Sequence, residues 1–214
     1  MEKKIYCYSL FIIDYNYTKY TQTYKGFLKM TDWDKRYKEG FYDGAREPHT
    51  LLQKYWSIIP RGYVIDIAMG NGRDALFLAQ KGFVVCGLER SEEAIKATLR
   101  SLKETQQSVG IVRADAIALP FKKNMASGIV VFYFLMRSIM KELVATLRKD
   151  GVIIYETFLK RQNMIDRWRN PEYLLDDGEL IEHFQGLEPL YYEEKIYYYN
   201  SRTRAVAQYV GRKI

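Results

Sequence analysis

Three carboxylates stand beside short apolar runs: Asp66 inside "YVIDIA", Glu89 closing "FVVCGLE" and Asp115 closing "GIVRAD". Behind the first lies a glycine turn, "AMGNGRD" (Ala68 to Asp74). Gly70 and Gly72 let the backbone approach a ligand with no Cβ in the way. A helix opening directly after them presents unpaired N–H groups to an anion. Gly70, Gly72 and Ala75 also fit G-x-G-x-x-A, the dinucleotide fingerprint in its alanine form. The turn therefore reads as the seat of a nucleotide-like cofactor.

The carboxylates narrow the choice. A dinucleotide brings a pyrophosphate to such a turn, where negative charge at Asp66 is unfavourable. S-adenosylmethionine (SAM) has no phosphate; it carries an ammonium, a sulfonium and a carboxylate, so Asp66 is compatible with it. Glu89 can accept from ribose hydroxyls in either cofactor. Asp115 can accept from the exocyclic amine of adenine. Asp66, Glu89 and Asp115 at three successive strand ends make a SAM-shaped constellation. A nicotinamide-dependent oxidoreductase is the remote alternative.

Elements of a particular kind must hold these residues. "EPHTLLQKYWSII" (residues 47–59) reads as a helix stopped by Pro60 and Gly62. From Tyr63 the pattern alternates: strand 63–68, helix 73–81, strand 83–89, a helix capped by Ser91 with two glutamates behind it, and strand 110–115. "SGIVVFYFL" is apolar throughout and reads as a central strand covered on both faces. A helix over 137–149 and a strand over 151–158 follow. Such alternation predicts a parallel sheet with crossover helices. After an irregular stretch at 159–175 and a short helix in "DDGELIEHF", two long strands joined by Asn200-Ser201-Arg202 read as a hairpin. The expected fold is α/β: a Rossmann-like seven-stranded sheet of five parallel strands plus a C-terminal antiparallel hairpin, with helices on both faces.

The 214 residues suffice for one sizeable core. The longest apolar run, Gly128 to Met136, is shorter than the roughly 20 residues that cross a bilayer. Two cysteines, Cys7 and Cys86, form no disulfide framework and no metal motif, and a reducing cytoplasm is the simple expectation. No metal site is expected. The formal net charge of +7 suits nucleic acid or an acidic substrate, or merely a solvated basic surface; no long basic run stands out. Residues 1–29 are Tyr-rich and poor in helix punctuation. They resemble a signal peptide at first, but "DYNYTKY" replaces a cleavage site. An arm of residues 1–29 (an added strand, a flexible tail or translated upstream sequence) thus precedes a domain expected to span residues 30–214.

Four pieces together carry a resemblance: "WDKRYKEG" with the later "EP", "DIAMGNGRDALFLA", "FYFLMRSIMKEL", and "YETF…NPEYLLDDGELIEHF". The chain resembles the class I SAM-dependent methyltransferases and, within them, the small tellurite-resistance (TehB-like) and thiopurine-methyltransferase-like group, over roughly residues 31–195. The first strand and its turn are specific to the superfamily; the rest marks the subgroup. One departure is Met136, where the subgroup often has a His before the Arg. The resemblance implies cofactor contacts from Asp66, Ala68, Gly70, Asn71, Gly72 and Arg73, from Glu89 and Arg90, from Asp115 and Ala116, and from Phe132. Trp33, Arg36 and Tyr37 would fold over the cofactor as a lid, or else form a surface cluster.

Tyr133 and Arg137 follow the fourth strand, where the methyl group should point, and are the expected catalytic pair; core packing and a solvated guanidinium are the plain alternatives. Trp168, Arg169, Asn170 and Tyr173 occupy the insert after the fifth strand. His49 and His183 lack metal-ligand spacing and read as structural. "NPEY" stands after the wrong strand for the amino-methylation signature of adenine enzymes, and Cys86 lies inside a strand, so nucleobase methylation through either motif is rejected. Aligning a nucleophile behind an activated methyl group is worth roughly 7–11 kcal/mol. With no evident His or Cys as base, an acceptor that arrives anionic is favoured, held by arginine. The expected reaction is methyl transfer from SAM to a small thiolate, oxyanion or similar small molecule; the alternative is a protein or RNA acceptor.

Overall fold

The computed structural model describes residues 12–14, 33–40, 42, 47–199 and 202–214. In chain order the strands are β1 (Ile12–Asp14), β2 (Tyr63–Ile67), β3 (Val84–Glu89), β4 (Gly110–Arg113), β5 (Ala126–Phe132), β6 (Leu147–Phe158), β7 (Glu188–Tyr199) and β8 (Arg202–Arg212). The helices are α1 (Trp33–Lys38), α2 (Thr50–Tyr55), α3 (Arg73–Gln80), α4 (Glu92–Thr105), α5 (Met140–Thr146) and α6 (Glu179–His183). They build one sheet in the order β1-β4-β3-β2-β5-β6-β8-β7. The five expected parallel strands, β2 to β6, are present, and β8 pairs antiparallel with both β6 and β7. The sheet has one strand more than the seven expected, because β1 of the N-terminal arm adds in parallel to β4.

Strand alternation explains the two cores. Ile65, Ile67, Ile129, Val131, Ile153 and Tyr155 face α5 and α6; Val64, Val130, Phe132, Val152 and Ile154 face α2, α3 and α4. Every residue of β5 is buried, as its unbroken apolar run predicts. In α4 the buried Ala94, Ile95, Thr98 and Leu102 recur at helical spacing. Full burial of an Ile or Leu side chain is worth about 1.5–3 kcal/mol. Ser91 caps this helix, its Oγ accepting from the Ala94 amide at 3.2 Å.

Three boundaries differ from expectation. The helix expected over 47–59 begins only at Thr50, with extended His49 as its N-cap, and ends in a 3-10 turn at Trp56–Ile58. The helix expected over 137–149 is a 3-10 turn at Arg137–Ile139 followed by α5, and Leu147 already pairs with Ala126. A residue distant in sequence meets the end of α5: Lys213 Nζ donates to the Val144 carbonyl at 3.0 Å and the Leu147 carbonyl at 2.6 Å. A cation there also suits the negative end of a helix. In the hairpin, Arg202 belongs to β8, and Asn200 and Ser201 lie outside the described residues.

Strand order reverses between β2 and β5: β3 and β4 continue to one side, β6 to the other. Ligands of open α/β sheets lie at such a switch, beyond the carboxyl ends of the strands. Two residues there adopt left-handed backbone without being glycine, Ala68 after β2 (φ 55°) and Tyr133 after β5 (φ 54°). Strain of this kind clusters at functional sites.

Candidate active site

Asp66 sits within β2, 2% exposed. Its Oδ2 is buried with no hydrogen-bond partner among the described residues. Burial, followed by the neighbouring charges of Asp74 and Glu89, pushes its carboxyl well above the usual range. A buried carboxyl so placed can stay neutral until a cation arrives.

The turn after Ala68 depends on its glycines. Gly70 has φ 60°, and a Cβ there would strike the Tyr37 hydroxyl. Gly72 has φ 78° and packs against Thr98 of α4, where a Cβ would be 2.5 Å from a methyl carbon. Glu89 ties this turn to the start of α4. Its Oε2 accepts from the Gly70 amide at 2.9 Å, and its Oε1 accepts from the Arg90 and Ser91 amides at 2.7 Å each. An ionised carboxylate offers about four acceptor positions. These amides take three, leaving about one outward position rather than a pair. Burial raises the Glu89 carboxyl while the three amides pull it back.

Helix α1 lies over the turn. Tyr37 is partly buried against Gly70, its ring 4.6 Å from that of Tyr42. Asn71 Nδ2 donates to the Tyr42 carbonyl at 3.3 Å. Asp34 Oδ1 accepts from Ser91 Oγ at 2.6 Å, which docks α1 on α4. Arg36 lies over the Trp33 ring at 5.0 Å, and Trp33 is 36% exposed. Beyond β4, Arg90 Nη1 donates to Asp115 Oδ2 at 3.2 Å, beside buried Ala116. Thus α1, the turn, Glu89, Arg90 and Asp115 share one end of the sheet.

A second cluster, of which the sequence suggested Tyr133 and Arg169 but not Glu156, Tyr197, Arg204 or Gln208, lies at the ends of β5 and β6. Tyr133 Oη donates to Glu156 Oε1 at 2.5 Å, and Tyr197 Oη donates to the same oxygen at 3.1 Å. Gln208 Nε2 donates to Glu156 Oε2, and Arg204 Nη1 donates to Tyr133 Oη. Burial and then the charge of Glu156 push the Tyr133 phenol well above its ordinary range. Arg204 lies over the Tyr133 ring at 5.0 Å, and Arg169 over the Phe158 ring at 4.7 Å. Those two rings are 4.6 Å apart. Arg169 thus reaches this wall from the insert, whereas Trp168 is 71% exposed, Tyr173 is exposed, and Asn170 caps the 3-10 turn Pro171–Tyr173.

Arg137 is placed differently from expectation. Its Nε and Nη2 donate to the two Glu179 carboxylate oxygens at 2.5 and 2.9 Å, and Nη1 and Nη2 donate to the carbonyls of Glu172 and Leu174 at 2.8 and 2.9 Å. The guanidinium that was to greet an incoming anion is instead a latch between β5 and the 172–179 segment. Burial alone would raise the Glu179 carboxyl, but Arg137, the Asp176 amide and His183 hold it low, at about 2.

His49 departs further. Read as structural from sequence, it meets side chains of α3 and the end of β5. Its ring stacks on Phe132 (4.0 Å, 10°) and lies 5.2 Å from Tyr133. Its backbone N–H donates to Asp74 Oδ1 at 2.8 Å, and its Nδ1 pairs with Asp74 Oδ2 at 2.6 Å. Arg73 Nη2 donates to its Nε2. Despite burial, which opposes it, His49 and then Arg73 hold the Asp74 carboxyl low. Nothing in the spacing of residues 49 and 74 signals this pair; only the packing of α2 beside α3 creates it. His183, by contrast, meets Glu179 at 3.1 Å, away from this cluster.

Comparison with known proteins gives the same class. Residues 64–151 match a family model described as a methyltransferase domain. That match covers less than half of the chain, and the fold around it is shared with SAM-dependent methyltransferases. In particular, the chain is similar in structure to TehB from Haemophilus influenzae: TM-score 0.70, 19% identity, 85% of this chain and 67% of that one. It is also similar to a SAM-dependent methyltransferase from Methanosarcina mazei, with TM-score 0.63 and 16% identity over 78% of this chain and 99% of that one. Both are likenesses of fold. In sequence it is 29% identical over 123 residues to ribosomal RNA small subunit methyltransferase J of Bdellovibrio bacteriovorus, covering 46% of this chain. The match spans about half, 49%, of that curated relative. Among the described residues no helix is long and apolar enough to cross a membrane, and no cluster of His, Cys, Asp or Glu is arranged to hold a metal ion.

Proposed function

We propose that this chain transfers the methyl group of SAM to a small thiol-type or oxyanion acceptor by in-line displacement. The orphaned Asp66 Oδ2 beside the Gly70 turn supports SAM as the cofactor. A cation beside that buried oxygen would let the carboxyl ionise, and SAM brings two. Asp66, Ala68, Gly70, Asn71, Gly72 and Arg73 would hold its amino-acid end, Arg73 through the carboxylate. Glu89, with its remaining acceptor position, and Arg90 would hold the ribose. Asp115 and Ala116 would hold the adenine, Phe132 would back the site, and Trp33, Arg36 and Tyr37 would cover it. Bound there, SAM supplies an activated methyl carbon, and the protein's part is to align an acceptor behind it.

For the acceptor, one observation carries the reading: two guanidiniums, Arg204 and Arg169, stack on the adjoining rings of Tyr133 and Phe158 at the ends of β5 and β6. Tyr133 shapes this wall rather than giving up its proton, since its phenol is pushed up. Arg137 is held instead by Glu179. Two cysteines in a chain of this size suit a reducing, cytoplasmic setting for thiol chemistry. The test is a product screen with methyl-labelled SAM against thiols, tellurite and selenite, then against total RNA and cell protein. Label in small-molecule products supports the reading. Label in macromolecules alone sinks it in favour of the second reading, RNA methylation, which the name of the Bdellovibrio relative favours.

A further inference from the structure

The His49–Asp74 pair joins a buried carboxylate to an imidazole beside the end of β5. The Nδ1 side faces a buried carboxylate held in its ionised form, with both Asp74 oxygens engaged by His49. That arrangement fixes Nδ1 as the protonated nitrogen and leaves Nε2 with the basic lone pair. The ring is pinned flat against Phe132, so Nε2 cannot swing away, and Tyr133 of the acceptor wall is its neighbour at 5.2 Å. The charged and titratable groups around it are Asp74 and Arg73 from α3 and Tyr133 after β5, with Glu156 and Arg204 behind that tyrosine.

We propose that His49, backed by Asp74, is the proton acceptor for a thiol substrate. This rests on the methyl-transfer reading above and deepens it, because the acceptor can then enter as the neutral thiol. His49 Nε2 takes the S–H proton, and the electron pair of that bond stays on the acceptor sulfur. That sulfur forms the new carbon–sulfur bond to the methyl group. The methyl–sulfonium bond breaks, and its pair leaves with the demethylated cofactor. The imidazolium so formed is neutralised by Asp74 and returns its proton to solvent. In the structure Arg73 covers Nε2. Arg73 belongs to the first turn of α3 and was assigned above to the carboxylate of SAM. One guanidinium therefore serves two partners: engaging the cofactor uncovers the base.

Two thiols test the idea. 4-Nitrothiophenol is ionised at neutral pH and needs no base; 2-mercaptoethanol is protonated and does. General-base catalysis is worth about 100-fold or more. H49Q should therefore slow methylation of 2-mercaptoethanol about 100-fold more than that of 4-nitrothiophenol. Equal slowing of both, or of neither, overturns the proposal and leaves methyl transfer standing. If the unaltered protein methylates neither thiol nor any other small acceptor, both readings fall together. A second readout needs no turnover. The chain has two histidines, so an H183N variant leaves His49 alone in nitrogen-15 spectra. Protonation at Nδ1 only, with the Nε2 resonance shifting when S-adenosylhomocysteine binds and already shifted in R73M, is expected. A proton resident on Nε2 instead, or no shift, overturns the proposal.

Discussion

The Glu89 carboxylate accepts from the amides of Gly70, Arg90 and Ser91, so its loss strands three donors. A buried donor left unsatisfied costs about 1–3 kcal/mol. Glu89→Ala should weaken SAM binding roughly 10- to 100-fold by calorimetry. It should also lower the melting temperature, by about 2–4 °C for each kcal/mol in a chain of this length. An unchanged dissociation constant would remove Glu89 from the cofactor site. Gly70→Val sets a β-branched residue at φ 60° against the Tyr37 hydroxyl. We expect SAM binding to vanish while the circular dichroism spectrum stays native-like; normal binding would place the cofactor elsewhere. At this scale the sequence places Asp66, Glu89 and Asp115 within or just after successive strands, and the structure brings them to one end of the sheet. The proposed acceptor side was not legible in this way. His49 meets Asp74, and Tyr133 meets Arg204, across separations of 25 and 71 residues, and no local pattern encodes either contact.

Arg137 joins two elements, and its variants should behave as one half of a latch. Arg137→Met and Glu179→Gln should each cut turnover with little change in SAM affinity, and the double variant should be no worse than the poorer single one. If Arg137 instead held the acceptor, Glu179→Gln would leave turnover unharmed. The latch also has a pH signature. Glu179 titrates at about 2 when folded against an ordinary 4.5. A folded value below the unfolded one means that its stabilisation is present above the ordinary value and is lost as pH falls toward the folded one. Melting temperatures of the unaltered protein and Glu179→Gln should therefore differ near neutrality and converge as pH drops toward about 2. A gap that persists in acid would rule out this ion pair as its cause. On the sheet's far edge, β1 contributes only three paired residues, Ile12–Asp14 against Ile111–Arg113. A chain starting at Met30 should fold and bind SAM; insolubility would mean that the arm belongs to the core. Element boundaries were legible where the signal is local, as at Ser91. They were misread at α5, whose end is met by groups distant in sequence, the Asn124 and Met125 amides and Lys213.

For the molecule as a whole, the net charge of +7 offers a discriminating measurement. A polyanionic acceptor releases counterions on binding, and several phosphate contacts cost about 10³- to 10⁵-fold in affinity between about 50 and 200 mM salt. Methylation of a small thiol should change only slightly over that range. A steep salt dependence of turnover would point to RNA. The broad architecture was readable because alternating apolar runs and helical stretches leave few topologies, and β2 to β6 follow that expectation. The added β1 was one of three options for a Tyr-rich arm whose pattern favours none. The placement of β8 between β6 and β7 has a consequence in time. On a ribosome, β2 to β6 and the glycine turn emerge well before residues 202–212, which carry Arg204 and Gln208. A nascent chain can thus own the proposed seat for SAM while the proposed acceptor wall does not yet exist. SAM captured early would act as a ligand that steadies a half-made protein, and stray methylation would be barred until synthesis had passed the last strand.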